Sequence, residues 1–252
     1  MAVAIRGSRA LGAFVFLSGL FPVLSTLGQP VSNARSVSEA EAIVEFRLRD
    51  RFERYGAGRR QPGAATVVDV VEGDLRVAGN LLVDAAGPRG GATDLRAGDR
   101  SATTAPNAVG LIVTGALIVD GAIVNANVNS GPFLLVLGPT RARAMFAGGA
   151  ELRFEGTATF DDAVVGCYND GRVSFAGSVE APMVVSEDHD FAISGARRPP
   201  YVDYFNGEGN LDQLLGWLDP ELRVTDVSAL DAVEHLLPRI RRGQRVLRLL
   251  PP

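Results

Sequence analysis

One short phrase recurs five times between residues 70 and 194, and it constrains the fold more than any other feature of the chain. In each copy an aliphatic or aromatic residue, any residue, a second apolar residue and any residue precede a glycine. The glycines that close the five copies are Gly79, Gly115, Gly138, Gly156 and Gly177. They lie 36, 23, 18 and 21 residues apart. Such a spacing is typical of the coils of a parallel β-helix, and the longer first interval indicates an insertion.

The apolar residues between positions 109 and 194 alternate with other residues, as strands that line a core require. In stacked coils each inward side chain lies on its equivalent one coil away. The predicted inward equivalents are Val113, Val136, Phe154 and Phe175. The sequence therefore predicts a mainly β protein: a single-stranded, right-handed parallel β-helix of five or six coils, with an N-terminal helix cap and a helical C-terminal segment.

Composition divides the chain into four parts. They are a candidate signal peptide at 1–34, an N-terminal capping helix and turn at 35–63, the β-helix at 64–196, and a C-terminal helical cap or docking segment at 197–252. Residues 85–108 interrupt the repeat with glycine- and proline-rich polar sequence, which predicts a surface loop. A loop of this length is uncommon unless it is functional or disordered.

The first 34 residues have the order of an export signal. Arg6 and Arg9 precede an apolar run at 10–24, and residues 32–34 offer a small-x-small cleavage site, with residues 26–28 as a second candidate. We therefore expect a periplasmic or extracellular protein. Two alternatives stay open: an uncleaved segment that anchors the chain in the membrane, and a cytoplasmic protein whose start codon is misassigned.

Two helical segments are expected outside the repeat. Ser38 and Glu41 have the spacing of a capping box, which predicts a helix over 38–55 that ends at Gly56 and covers the open end of the first coil. Its predicted inner face includes Ile43, Phe46, Phe52 and Tyr55. In the C-terminal part, apolar residues at helical spacing form either a cap or a docking surface for a protein partner or a second copy. The candidate docking residues are Leu214, Trp217 and Leu218.

Charge and composition argue against several functions. The formal net charge is −4, so no basic field attracts nucleic acid. No phosphate-binding glycine motif, H-E-x-x-H helix or C-x-x-C pair occurs, and we expect no cofactor and no metal. The one cysteine, Cys167, excludes an intramolecular disulfide. We expect it to be a buried apolar side chain of a coil interior rather than a nucleophile.

One polar cluster on the last two coils invites a catalytic interpretation. Its candidate residues are Asp161, Asp170, Asp188 and His189, and its other members are Asp162, Tyr168, Asn169, Glu187 and Asp190. Tyr168 and His189 each follow a repeat glycine by twelve residues, which predicts that they stack, as Asn169 would on Asp190. Such groups could act as general acid and base on a sugar or hold a divalent cation. The alternative, which we favour, is a set of solvated turn residues, as for Asn125, Asn127 and Asn129.

Residues 72–81 and 111–121 resemble the coils of bactofilin-like, polymer-forming bacterial β-helix proteins, and the resemblance covers about residues 70–194. It implies a non-enzymatic scaffold that self-associates end to end near the membrane. The irregular coils, the insertion, the export signal and the helical C-terminal part depart from that pattern, and capped ends would not stack. We expect a non-catalytic structural or interaction protein of the bacterial cell envelope. The alternative is a polysaccharide lyase or hydrolase, which rests on fold analogy.

Overall fold

The computed structural model describes residues 33–56, 61–84, 97–196, 198–222 and 224–248. Parallel strands stack coil upon coil into a β-solenoid of about five turns, which confirms the predicted fold. The candidate signal peptide, apart from residues 33 and 34, and residues 85–96 of the insertion lie outside the described residues. None of the helices in the described ranges is long and apolar enough to cross a membrane.

The described strands number seventeen and follow the chain in order. They are β1 (Ala34–Ser38), β2 (Val67–Val71), β3 (Leu75–Val77), β4 (Leu81–Leu82), β5 (Arg100–Ser101), β6 (Ala108–Val113), β7 (Leu117–Val124), β8 (Phe133–Val136), β9 (Thr140–Ala147), β10 (Glu151–Phe154), β11 (Ala158–Phe160), β12 (Val164–Cys167), β13 (Arg172–Phe175), β14 (Val179–Glu180), β15 (Val184–Glu187), β16 (Asp190–Ile193) and β17 (Tyr201–Asp203). Coils 1 to 5 begin at β2, β6, β8, β10 and β13, and an incomplete coil 6 contains β16 and β17.

The strands form three faces around the core. Face 1 has the strand order β1-β2-β6-β8-β10-β13-β16. Face 2 consists of β3, the first parts of β7 and β9, β11 and β14. Face 3 contains β5, β4, the second parts of β7 and β9, β12, β15 and β17. Long strands β7 and β9 therefore bend from face 2 to face 3, and the β7 pairing shifts register between Val119 and Ala122.

The interior of the solenoid is a set of apolar ladders. Val113 pairs with Val136, Val136 with Phe154, and Phe154 with Phe175, so the four predicted inward equivalents are confirmed. The rings of Phe154 and Phe175 stack with centroids 5.2 Å apart. These side chains are fully buried because the equivalent side chains of the neighbouring coils cover them.

The corner between faces 1 and 2 is a column of glycines. Its members are Gly73, Gly115, Gly138, Gly156, Gly177 and Gly195. A Cβ built on Gly156 would lie 2.5 Å from the carbonyl oxygen of Gly138, so only glycine lets these coils approach so closely. The predicted first repeat is out of phase: Leu75 pairs with Leu117 on face 2, and Gly79 contacts Gly121 at the next corner. The recurring motif occurs before either of two corners of the solenoid. In coil 1 the sequence pattern therefore assigned Gly79 to the wrong corner.

The N-terminal segment contains a shorter helix than predicted. The capping box of Ser38 and Glu41 is present, and helix α1 spans Glu39–Glu45. Arg47 then adopts a left-handed conformation with φ 51°, and two single 3-10 turns follow at Leu48–Asp50 and Glu53–Tyr55.

The four predicted inner-face residues are buried, but the segment lies along the outer surface of face 1 rather than over the end of the first coil. The outward side chains that it covers are Val68, Val70, Ile112, Phe133 and Leu135. The predicted end cap is therefore wrong in position.

Two other strands close the N-terminal end. Strand β1 pairs antiparallel with β2, and β5, which follows the insertion, pairs in parallel with β4. The described part of the predicted surface loop is thus partly structured, and Ala102 and Thr103 are buried beside it.

The C-terminal part covers the outer surface of face 3. It contains helix α2 (Leu211–Trp217), a π-helical turn at Ala232–Leu236 and helix α3 (Leu237–Arg241). Leu214 and Leu218 are buried and Trp217 is half-buried in this apolar layer. The candidate docking residues therefore pack mainly against the chain's own solenoid. Near the C-terminus one isolated bridge joins Leu218 and Leu247.

Candidate functional site

The predicted polar cluster is divided between two corners of the solenoid. Asp161 lies at the corner between faces 2 and 3, exposed, with an oxygen 3.6 Å from Arg141. Its neighbour Asp162 is fully buried and accepts hydrogen bonds from the backbone N–H groups of Val246 (2.8 Å) and Leu247 (3.0 Å). Asp162 therefore holds the C-terminal segment against coil 4.

Asp170, Asp188 and His189 lie at the opposite corner, between faces 3 and 1. Cys167 pairs with Glu187 and Arg172 with Asp190, so this corner has four residues in coil 4 and two in coil 5. Tyr168 and Asp188 are consequently equivalent, and both have positive φ, 66° and 55°. The predicted stacking of Tyr168 on His189 and of Asn169 on Asp190 is therefore wrong. Thr159 pairs with Glu180 but Val164 pairs with Val184, so coil 5 is already one residue shorter at the corner between faces 2 and 3.

His189 is a packed side chain. Its Nδ1 donates to the carbonyl oxygen of Tyr168 at 2.6 Å, and its ring meets Phe191 edge to face at 5.1 Å. A Cβ on Gly166 would lie 2.5 Å from the ring, so this glycine makes room for the imidazole. Burial lowers the pKa of His189, and its Nε2 is buried with no hydrogen-bond partner among the described residues. The neutral ring fits here better than a charged acid catalyst would.

Cys167 is buried, but not in the coil interior that the sequence predicts. It lies on the outer side of face 3, beneath the C-terminal part. Its Sγ is 3.2 Å from Glu187 Oε2, an atom that also accepts a hydrogen bond from the N–H of Ala232. Burial, reinforced by the hydrogen bond and charge of Glu187, raises the pKa of the Cys167 thiol. A thiol in these surroundings is a poor nucleophile.

Asn125 is predicted to be a turn residue, but in the structure its side chain forms hydrogen bonds between coils. Its Nδ2 donates to Val83 O (3.0 Å) and Asp84 Oδ1 (2.8 Å), and its Oδ1 accepts from the N–H of Ala150 (2.8 Å). The side chain is fully buried and connects three coils. Asn127 and Asn129 do form a local turn, in which Asn127 Oδ1 accepts from the N–H of Asn129.

Two concave surfaces lie on the outside of the solenoid. The first, of about 450 Å³, separates residues 49–56 from the outer surface of face 1 on coils 4 to 6, and we call it the arginine cleft. Its basic lining residues are Arg49, Arg51, Arg153 and Arg172. The second, of about 390 Å³, is an open groove on face 2, where Arg141 and Asp161 form a pair that joins two coils. Sequence reasoning missed the arginine cleft because its residues come from four separate stretches of chain.

Within the described ranges, the last coil leaves the C-terminal end of the solenoid open. Strand β16 pairs with β13 and β17 pairs with β15. Apart from one bridge between Asp203 and Glu208, no strand of the described residues pairs with their other edges. The core at this surface, which we call the open end, is only partly covered. Its half-buried apolar residues are Ala181, Phe191, Ile193 and Tyr201.

The described part of the chain contains no group of three or more His, Cys, Asp or Glu residues that could hold a metal ion. A comparison with known proteins finds no matching family model, no similar curated protein and no similar solved structure. The class that the described residues define is a β-solenoid in which they cover faces 1 and 3 but leave face 2 and one end uncovered.

Proposed function

We propose that this protein is a non-catalytic scaffold or interaction protein of the bacterial cell envelope, and that it associates with a second copy through its open end. The observation that carries the proposal is the unpaired edge of β16 above a half-buried apolar surface. Unpaired strand edges are templates for pairing with another chain. The envelope location rests on the composition of residues 1–34.

The contrast with the other end supports this assignment. At the N-terminal end two of the three strand edges of coil 1, those of β2 and β4, are paired by β1 and β5. At the C-terminal end Phe191 and Ile193 are half-buried although their equivalents one coil below, Val173 and Phe175, are buried. Two open ends that meet would extend both sheets and cover these side chains.

The environment of the candidate catalytic residues favours a scaffold over a polysaccharide-cleaving enzyme. Asp161 lies at a different corner from Asp170 and Asp188. Asp188 is 3.3 Å from the amide of Asn169, and His189 points into packed surroundings. General acid–base catalysis needs two titratable groups that face one substrate. These four residues are not arranged in that way.

Sedimentation velocity over a range of protein concentrations tests the proposal. We expect the parent protein to form a dimer, Ile193→Lys at the open end to be a monomer, and Ile118→Lys on the outer side of face 2 to behave like the parent. Circular dichroism checks that each variant is folded. A parent that stays monomeric, or a folded Ile193→Lys variant that still associates, would contradict self-association at this surface.

Turnover of a panel of acidic and neutral polysaccharides separates the scaffold from the enzyme. We expect no cleavage by the parent. If the parent cleaves any of them, and a folded variant with Asp188→Asn and His189→Gln loses about a hundredfold or more of that rate, then the enzymatic alternative is correct.

A further inference from the structure

The arginine cleft exists because the outward side chains of face 1 change character along the solenoid. On coils 1 to 3 they are large and apolar, and the N-terminal segment packs directly on them. On coils 5 and 6 each strand begins with an outward charged residue, Arg172 or Asp190, and the outward residues that follow are small: Ser174, Ala176, Ala192 and Ser194 line the cleft. Arg153 pairs with Ser174, and Ser174 with Ala192, so these positions form one outward row. The segment at 49–56 therefore stands away from a floor of small residues and encloses about 450 Å³.

The charged side chains of the cleft, counted with all their ion-pair partners among the described residues, are six arginines and five acids, which leaves one positive charge. The lining itself contains four arginines and three acids, although the whole chain has a net charge of −4. Two of those acids have partners outside the lining: Glu151 accepts from Arg54 at 2.8 Å, and Asp50 pairs with Arg47 at 2.8 Å. The third, Glu53, pairs with Arg172. Among the described residues, Arg49 forms no ion pair.

Two guanidinium groups of the lining are incompletely hydrogen-bonded. Arg51 Nη1 and Arg172 Nε are buried and have no hydrogen-bond partner in the described part of the protein. Arg172 Nε is 3.2 Å from Asp190 Oδ2, but not in hydrogen-bonding geometry. Arg51 shares Glu155 with Arg153, at 3.5 Å and 2.8 Å respectively. Buried donors normally have partners, and a guanidinium fits a planar carboxylate or a phosphate in particular.

We propose that the arginine cleft binds an anionic sugar of one or two rings through its carboxylate or phosphate group. Arg51 and Arg49 receive the anion, with a small adjustment of the Arg51 guanidinium that gives Nη1 an acceptor. The hydroxyl groups of Ser174 and Ser194 face the sugar, and the alanine floor leaves room for a ring. A cleft of this volume lies in the range of small-molecule sites. The proposal uses the outer surface of β16, not its edge, so it does not depend on self-association.

Isothermal titration of the full chain with glucuronic acid, glucose 6-phosphate and glucose tests this. We expect saturable binding of at least one of the two anions and none of glucose. The anion that binds identifies carboxylate or phosphate as the preferred group. Arg51→Gln should weaken binding about tenfold or more, the loss of one charge-assisted hydrogen bond. Arg76→Gln, an exposed arginine of face 2, should leave it unchanged.

If Arg51→Gln does not fold, Arg49→Gln replaces it, because Arg49 is exposed and unpaired among the described residues. The proposal is wrong if neither anion binds saturably, if glucose binds as well as the anions do, or if Arg76→Gln weakens binding as much as the cleft variants.

Discussion

The inner coils and the last coil use the same positions but give them different surroundings. Phe154 in coil 4 has a coil on each side and is fully buried, whereas Phe191 in coil 6 has a coil on one side and is half-buried. In a solenoid each coil is stabilised mainly by its neighbours, so a coil with one neighbour has less stabilisation. The comparison indicates that the last coil is both the weakest part of the solenoid and the part with unused pairing capacity.

Removing one aromatic ring from each region should give the largest difference. We expect Phe154→Ala to lower the free energy of unfolding by about 3 to 5 kcal/mol, because the surrounding coils cannot collapse into the cavity. Phe191→Ala should cost less than about half of that, since its ring is already partly exposed. Chemical denaturation of both variants measures the difference. Equal losses would mean that the last coil is as tightly packed as the inner coils.

Alanine substitutions in the glycine column compare how tightly the backbone of an inner coil and that of the last coil are packed. A Cβ on Gly156 or on Gly195 would lie under 3.0 Å from the preceding coil. Coil 5 prevents Gly156 from moving away, so Gly156→Ala should cost about 1 to 3 kcal/mol. Gly195 has no described coil above it and can shift outward, so Gly195→Ala should cost clearly less. Thermal unfolding tests this, and a greater loss for Gly195→Ala would contradict it.

The C-terminal segment on face 3 also stabilises the inner coils. Substitutions of the adjacent residues Asp161 and Asp162 measure how much it contributes to the free energy of unfolding. Asp162→Ala leaves the N–H groups of Val246 and Leu247 without their acceptor, at a cost of about 1 to 3 kcal/mol. Asp161→Ala removes only an exposed pair and should change the free energy of unfolding by less than about 1 kcal/mol. Limited proteolysis should release the C-terminal segment faster in the Asp162 variant alone.

We expect a smaller effect of pH on the stability of the last coil, through His189, which directly precedes β16. Burial lowers the pKa of His189 despite the opposing charges of Asp190 and Asp188, so the unfolded chain takes up a proton more readily than the folded one. Stability is then complete above the unfolded pKa of about 6.5 and falls as the pH decreases below it.

Hydrogen exchange of β16 at pH 7 and pH 5 measures this effect. We expect protection to decrease at pH 5 in the parent and in His235→Gln, but much less in His189→Gln. The same decrease in the His189→Gln variant would assign the pH dependence to other groups.

The sequence by itself determined the features that depend on local spacing. The alternation identified the inward ladder through Val113, Val136, Phe154 and Phe175, because a strand repeats its faces every two residues whatever surrounds it. The capping box was equally readable, since Ser38 and Glu41 contact each other within one turn. Both follow from interactions over a few residues.

Tertiary structure decided everything that depends on the lengths of turns and on contacts between distant segments. Thr159 and Val164 of coil 4 are five residues apart, whereas their partners in coil 5, Glu180 and Val184, are four apart. This one-residue difference places Tyr168 level with Asp188 rather than His189, and a pattern of repeats does not show it. Arg54 and Glu151 meet across 97 residues, so the arginine cleft has no local signature. The terminal segments lie along faces 1 and 3 because outward apolar residues from several coils together form a surface for them to bury, and only the assembled coils bring those residues together.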